Sequence, residues 1–257
     1  MVVRAVRRIG RAQLLGWMVA VATGASAGRA GAQSLSLGLN APGDAALVVP
    51  SSEVLGDGTL RSALTLVTSS EPLSLVLPSL DRDSVVEQRT ELALGASYTS
   101  WHRLLVAVTL PVVLAQSGEV SAADSTAPRV ASGRAFGDAN LTLRTFLIGA
   151  AERRLGLSVQ GDLWLPTGSK QAYATDDLVR AGLVAILGGR SARHGWSFEI
   201  GAQSRREQSF EGVVPYRMGH ELVTGLAAEF PLDHAATLWV GSEIEAQSAF
   251  TNGAQLF

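Results

Sequence analysis

The sequence predicts an all-β chain: an antiparallel up-and-down transmembrane β-barrel with about nine strands visible and its last strand or strands lacking. Three observations predict it. Strand-length segments alternate aliphatic and polar side chains. They follow an N-terminus built like an export signal. The connections between them alternate in length. Leu155 to Leu165 shows the alternation most clearly. Successive side chains of a strand point to opposite faces. Leu155, Leu157, Val159, Leu163 and Leu165 therefore share one face, and Ser158, Gln160 and Asp162 share the other.

Residues 1–32 read as a secretory signal peptide. Arg4, Arg7, Arg8 and Arg11 make a basic start, Leu14 to Ala27 is uncharged and mostly apolar, and Ala30-Gly31-Ala32 supplies a cleavage site before Gln33. Ala25-Ser26-Ala27 competes as a cleavage site, and the apolar run falls short of the ~20 residues of a spanning helix. Arg7-Arg8 is a weak twin-arginine hint. Removing residues 1–32 takes five Arg (Arg4, Arg7, Arg8, Arg11, Arg29) and no acid. The balance of 21 basic and 23 acidic residues becomes 16 and 23, and net charge moves from −2 to −7. No basic patch for nucleic acid remains. With no cysteine there is no disulfide, no thiolate metal site and no lipid-anchored cysteine. No later stretch is apolar enough for a membrane helix.

Residues 33–59, rich in Gly, Pro, Ser and Asp, read as an irregular periplasmic leader. Strand-like segments follow near 60–77 (broken at Pro72), 85–98, 103–115, 137–149, 154–166, 178–188, 195–206, 218–231 and 236–249. In the third, Leu104, Val106, Val108, Leu110, Val112 and Leu114 share a face. In the fourth, Leu141, Leu143 and Leu147 oppose Asn140, Thr142 and Arg144. In the sixth, Val179, Leu183 and Leu187 oppose Arg180 and Gly182. In the seventh, Trp196, Phe198 and Ile200 oppose Ser197, Glu199, Gln203 and Arg205. In the ninth, Leu238, Val240 and Ile244 oppose Glu243, Glu245 and Gln247. Tilted membrane strands need only ~9–11 residues.

Connections near 99–102, 150–153, 189–194 and 232–235 are short. Those near 78–84, 116–136, 167–177 and 207–217 are longer. Bacterial outer-membrane barrels pair short periplasmic turns with longer outer loops. Tyr98, Trp101, Trp196, Phe198, Phe230 and Trp239 gather near the short turns, and Trp164, Tyr173, Phe210 and Tyr216 near the long loops, compatible with two interfacial girdles. Alternation puts Trp164 and Trp239 on the polar face, so the girdle is imperfect.

Gly137-Asp138-Ala139-Asn140-Leu141, Leu163-Trp164-Leu165-Pro166-Thr167-Gly168 and Leu110-Pro111-Val112-Val113-Leu114 carry a resemblance. Over roughly residues 53–250 the chain resembles the N-terminal barrel region of large outer-membrane proteins of the OmpA family. It is similar, more distantly, to transporter-like barrels of the phenol-degradation MetA-pathway type. The resemblance implies residence in the bacterial outer membrane, reached through the outer-membrane assembly machinery. Nothing in the chain matches the soluble peptidoglycan-binding domain of such proteins, so peptidoglycan is not expected as a partner.

Catalytic and metal signals are weak. Gly24-Ala25-Ser26-Ala27-Gly28 has the letters of a nucleophile elbow but lies in the signal peptide. Asn140-Leu141-Thr142 matches a glycosylation sequon inside a strand. His102, His194, His220 and His234 lack metal-ligand spacing. No catalytic residue, metal or cofactor is expected. The candidate lumen-lining residues are Arg89, Glu91, Arg144, Gln160, Asp162, Arg180, Glu199, Arg205, Glu243 and Glu245, with Glu87 and Glu229 on the same polar faces. They fit either a wall that selects solutes by charge or a salt-bridged interior that fills a narrow barrel, and their mixed signs argue against strong ion selectivity.

Phe257 ends the chain as an aromatic, yet Gln255, Gly253, Thr251 and Ala249 before it lack the alternating apolar pattern of a closing strand. Nine strands is an odd number, and single-chain bacterial barrels have even counts. A fragment of a longer barrel is therefore expected. The functional expectation is a passive pore or transporter-like barrel, or a membrane anchor. An exported soluble β-sandwich that binds a ligand is the rival, and an outer-membrane enzyme a weaker one.

Overall fold

The computed structural model describes residues 2–9, 39–44, 48–54, 56–76, 82–118, 133–149, 155–169, 172, 174–175, 177–191, 194–204, 208–210, 216–218, 220–232 and 239–250. They form β1 (Val2–Ile9), β2 (Thr59–Val76), β3 (Arg82–Ser100), β4 (Leu104–Ser117), β5 (Ala135–Phe136), β6 (Ala139–Ile148), β7 (Gly156–Leu165), β8 (Arg180–Arg190), β9 (Gly195–Ser204), β10 (Gln208–Phe210), β11 (Tyr216–Met218), β12 (His220–Pro231) and β13 (Trp239–Phe250).

Nine long strands make one antiparallel up-and-down sheet in the order β2-β3-β4-β6-β7-β8-β9-β12-β13. Each sequence-predicted strand has its counterpart here. β1, the basic start of the expected signal, lies along the outer edge of β2 from Val2↔Val67 to Ile9↔Leu60. β5 adds to β4, and β10–β11 is a separate small hairpin. Among the described residues the two outer edges of the sheet do not pair with each other.

The sheet curls into a half-barrel, and one irregular segment shows how strongly. Pro42 accepts a hydrogen bond from Ser97 of β3, while the Val48 amide donates to Glu243 of β13. A flat sheet at ~4.8 Å per strand would hold β3 and β13 about 34 Å apart. Residues 42 to 48 reach about 21 Å fully extended. Both bonds form because β3 and β13 curve toward each other around the segment.

Curling separates the two faces. Leu64, Leu94, Val106, Leu143, Leu183, Ile200, Leu226 and Ile244 stand exposed on the convex side. Arg61, Thr65, Glu91, Thr142, Arg144, Gln160, Glu199 and Glu229 are buried on the concave side. Leu143, Gly161, Leu183 and Ala202 are register partners across four neighbouring strands, a continuous apolar row at mid-height. A water-soluble sandwich would have the opposite sense, because each aliphatic side chain left in water forgoes about 1.5–3 kcal/mol of burial.

The small apolar core lies between the sheet's concave face and the segment around residues 39–54. Ala41 and Val54 pack with Leu105, Ala107 and the half-buried Phe146, and Val49 packs with Ala227. This segment is irregular, and its described residues, 39–44 and 48–54, pack against the concave face. It fills the hollow.

Three local expectations change. Pro72 does not break the first strand: β2 runs on to Val76 with register shifts between Ser70 and Ser74. Proline lacks an N–H for the ladder, and a bulge accommodates that loss. The connection expected as a longer loop at 78–84 is accordingly reduced to the residues between Val76 and Arg82. Glu87 is exposed rather than inward, because the same irregularity lets both Val86 and Arg89 point into the hollow. In β4 a second bulge, at the Thr90/Glu91 register shift, turns Gln116 inward as well.

Candidate functional site

The hollow is organised around Arg144 of β6, whose side chain is fully buried. Its position follows from alternation, with Leu143 and Thr145 flanking it. Its guanidinium forks onto Asp44 of the internal segment, Nη1 to Oδ1 at 2.7 Å and Nη2 to Oδ2 at 2.6 Å. It also donates to the Ser51 carbonyl at 2.9 Å, and through Nε to Gln160 Oε1 at 2.7 Å. Such a two-pronged pairing is among the strongest polar contacts available to a side chain. Gln160 donates onward to Asp162 Oδ2 at 2.8 Å, and Thr142 donates to Asp162 Oδ1 at 2.6 Å. Neighbouring strands β6 and β7 thus carry one continuous polar network.

The internal segment is tied down along its length. Ser158 donates to the Ser52 carbonyl. Glu243 accepts from the Val48 and Val49 amides at 2.7 and 2.9 Å. Small residues on the wall admit the segment: a Cβ at Gly95 would stand 2.7 Å from Pro42 Cγ, and one at Gly225 would stand 2.8 Å from Val49 Cγ2. Glycine inside a strand often marks such a close approach of another backbone.

At the short-turn end Arg190 bridges Glu229, at 3.1 Å, and Glu53 of the segment, at 3.7 Å. Burial pushes the Glu53 carboxyl above the usual glutamate range; Arg190 opposes that rise and Asp44 adds to it. A carboxyl raised in the folded state stabilises fully at pH below its unfolded value, and that contribution is lost as pH rises through the raised value. The segment is therefore expected to dock more loosely at neutral pH than in mild acid. Glu53→Gln should flatten this dependence at pH above the ordinary glutamate range, read by amide hydrogen exchange over residues 48–54. An unchanged pH profile in the variant would exclude Glu53 as the source.

Near the long loops Arg89 and Glu91 form a buried ion pair at 2.9 Å. Arg89 also donates to Gln116 Oε1 at 3.1 Å and to the Ala172 carbonyl at 3.0 Å. Ala172 of the connection between β7 and β8 is thereby held to the wall, and Ala172 and Ala174 pack on Val113.

Between these clusters lies a cavity of about 170 Å³. Gln160, Asp162, Arg180, Glu199 and Glu245 of the candidate residues line it, together with Asn40, Trp164 and Gln203. Arg180 stacks over Trp164 at 4.9 Å from the ring centroid. Arg144 and Glu243 hold the segment instead, and Arg89 with Glu91 ties down the loop. Arg205 lies outside the described residues, as do Gly24 to Gly28 and His234. His102 sits 3.7 Å from Asp57 on the surface, at a turn where Trp101 and His102 both have positive φ. Among the described residues no group of three or more His, Cys, Asp or Glu side chains could hold a metal ion. No helix among them is long and apolar enough to cross a membrane, which says nothing of strands.

Sequence reasoning missed Asp44, Ser52, Glu53 and Asn40, since an irregular segment has no face to alternate. The inward glycines Gly95, Gly188 and Gly225 were the available signal. Fold and site together define a polar-inside, aliphatic-outside β half-barrel whose hollow holds a segment of its own chain. The chain matches no protein-family model, no curated protein and no solved structure.

Proposed function

We propose that this is a bacterial outer-membrane β-barrel protein, exported by its N-terminal signal, with its convex face in lipid and its hollow largely plugged. The observation that carries this reading is the inverted alternation. Leu143, Leu183 and Ile244 are exposed on the convex face while Arg144, Gln160 and Glu199 are buried on the concave face. Lipid-facing aliphatics alternating with polar interior residues are the mark of membrane barrels. The β-sandwich rival would bury the aliphatic face and is disfavoured. With residues 39–44 and 48–54 filling the interior, the function is a membrane anchor or a narrow, gated passage rather than a wide porin. Short turns face the periplasm in this reading, and the longer connections the outside.

The outer edges must also be paired in lipid, where each unsatisfied backbone group costs several kcal/mol. Export would remove β1 and leave β2 and β13 as the two edges to be paired. Membrane fractionation and gel mobility test the proposal. The expressed protein should partition with the outer membrane and run faster unboiled than boiled. Recovery in the soluble periplasm after gentle lysis would overturn it.

A further inference from the structure

We propose that the cavity beside the internal segment is a binding site for a small neutral polyhydroxylated solute, of the size of one sugar ring. The inference deepens the membrane-barrel reading, on which it rests for the solute's route to the cavity.

The groups that line the cavity sort into committed and uncommitted. Asp162 already accepts from Thr142 and Gln160, and Asp138 accepts from the Gly168 amide. Glu245 accepts from Gln247. Arg180 is stacked on Trp164. Two amides stand apart. Asn40 of the segment and Gln203 of β9 are only 7% and 6% exposed, yet Asn40 Nδ2 and Gln203 Nε2 have no hydrogen-bond partner. A buried donor without a partner costs about 1–3 kcal/mol, so both call for an acceptor from a ligand. The Glu199 carboxyl lines the same cavity beside them.

A ligand must therefore accept from two amides while lying against the Glu199 carboxyl. An amine only donates and leaves the amides unmet. An anion only accepts, and against the one cation of the lining, Arg180, it meets four carboxyl groups, Asp138, Asp162, Glu199 and Glu245. A hydroxyl both donates and accepts, so a molecule carrying several hydroxyls satisfies the whole set, and the Trp164 ring offers an apolar wall. The volume of about 170 Å³ is well below the roughly 300–1,000 Å³ of drug-sized pockets. It holds a monosaccharide or short polyol.

The test is calorimetric titration of the folded full chain in detergent with D-glucose, and in parallel with choline and with acetate. Glucose should give saturable heat, with choline and acetate at least tenfold weaker. Asn40→Leu and Gln203→Leu should each weaken glucose at least fivefold. Gln203→Glu, which keeps the shape and loses the donor, should do the same and covers the case in which a leucine variant does not fold. Gel mobility of each sample reports folding and membrane-barrel character separately from binding. Folded protein that gives no saturable heat with glucose, that binds choline or acetate more tightly, or whose variants bind glucose like the parent overturns the proposal.

Discussion

Arg144→Met is expected to destabilise the folded protein by about 3–5 kcal/mol, the cost of breaking a buried ion pair from one side. The substitution strands the Asp44 carboxylate, whose side chain is 3% exposed, and takes both donors from Gln160 Oε1. Against a total stability of roughly 5–15 kcal/mol, that loss is enough to release the internal segment. Urea unfolding should show a lower midpoint, and residues 48–54 should lose amide protection. The pair Arg144→Met/Asp44→Leu should recover much of the loss, since no uncompensated charge is left behind. Arg144→Lys should fall between, because a lysine keeps the charge and loses the fork. An Arg144→Met protein that unfolds at the parent's midpoint would show that the segment is not held through this residue.

Leu183→Arg is the second large effect, and its size depends on what touches the convex face. Leu183 is 63% exposed, at mid-height in the row shared with Leu143. Facing water, the change would stay within about 0.5 kcal/mol. Facing the middle of a bilayer, it costs about 2–4 kcal/mol, falling to about 0–1 near the interfaces. Leu60, near the short-turn end of β2 and 50% exposed, supplies the depth control. Unfolding in phospholipid vesicles should therefore separate Leu183→Arg, strongly destabilised, from Leu60→Arg, nearly normal. Equal stability of the two would count against a lipid-facing row.

Strand positions and faces were legible because they depend on neighbours two residues apart. Leu141, Leu143 and Leu147 against Asn140, Thr142 and Arg144 is a pattern written along the chain itself, and it survives folding unchanged. The departures are local irregularities of the ladder. Where Pro72 removes a donor, or the register shifts opposite Thr90, parity flips. Glu87 then turns outward and Gln116 inward, against any strict count by two.

The candidate site was legible only as half of itself. Gln160, Asp162, Arg180, Glu199 and Glu245 were assigned to the interior and do line the cavity. That Arg89 and Arg144 would each be consumed, one by a loop and one by the internal segment, was not readable. Asp44 and Arg144 lie 100 residues apart in the chain. No periodicity connects them, and nothing in Gly43-Asp44-Ala45 distinguishes a plug from a solvated leader.

The sequence by itself determined the class of the fold, the strands and which side of each is aliphatic, since a two-residue period and residue polarity are properties of adjacent positions. Only the tertiary structure decided which way the sheet curls and what fills it. Those depend on the closing of distant strands around Asn40 to Val54, where a buried guanidinium finds its carboxylate and the inward glycines leave room for a second backbone.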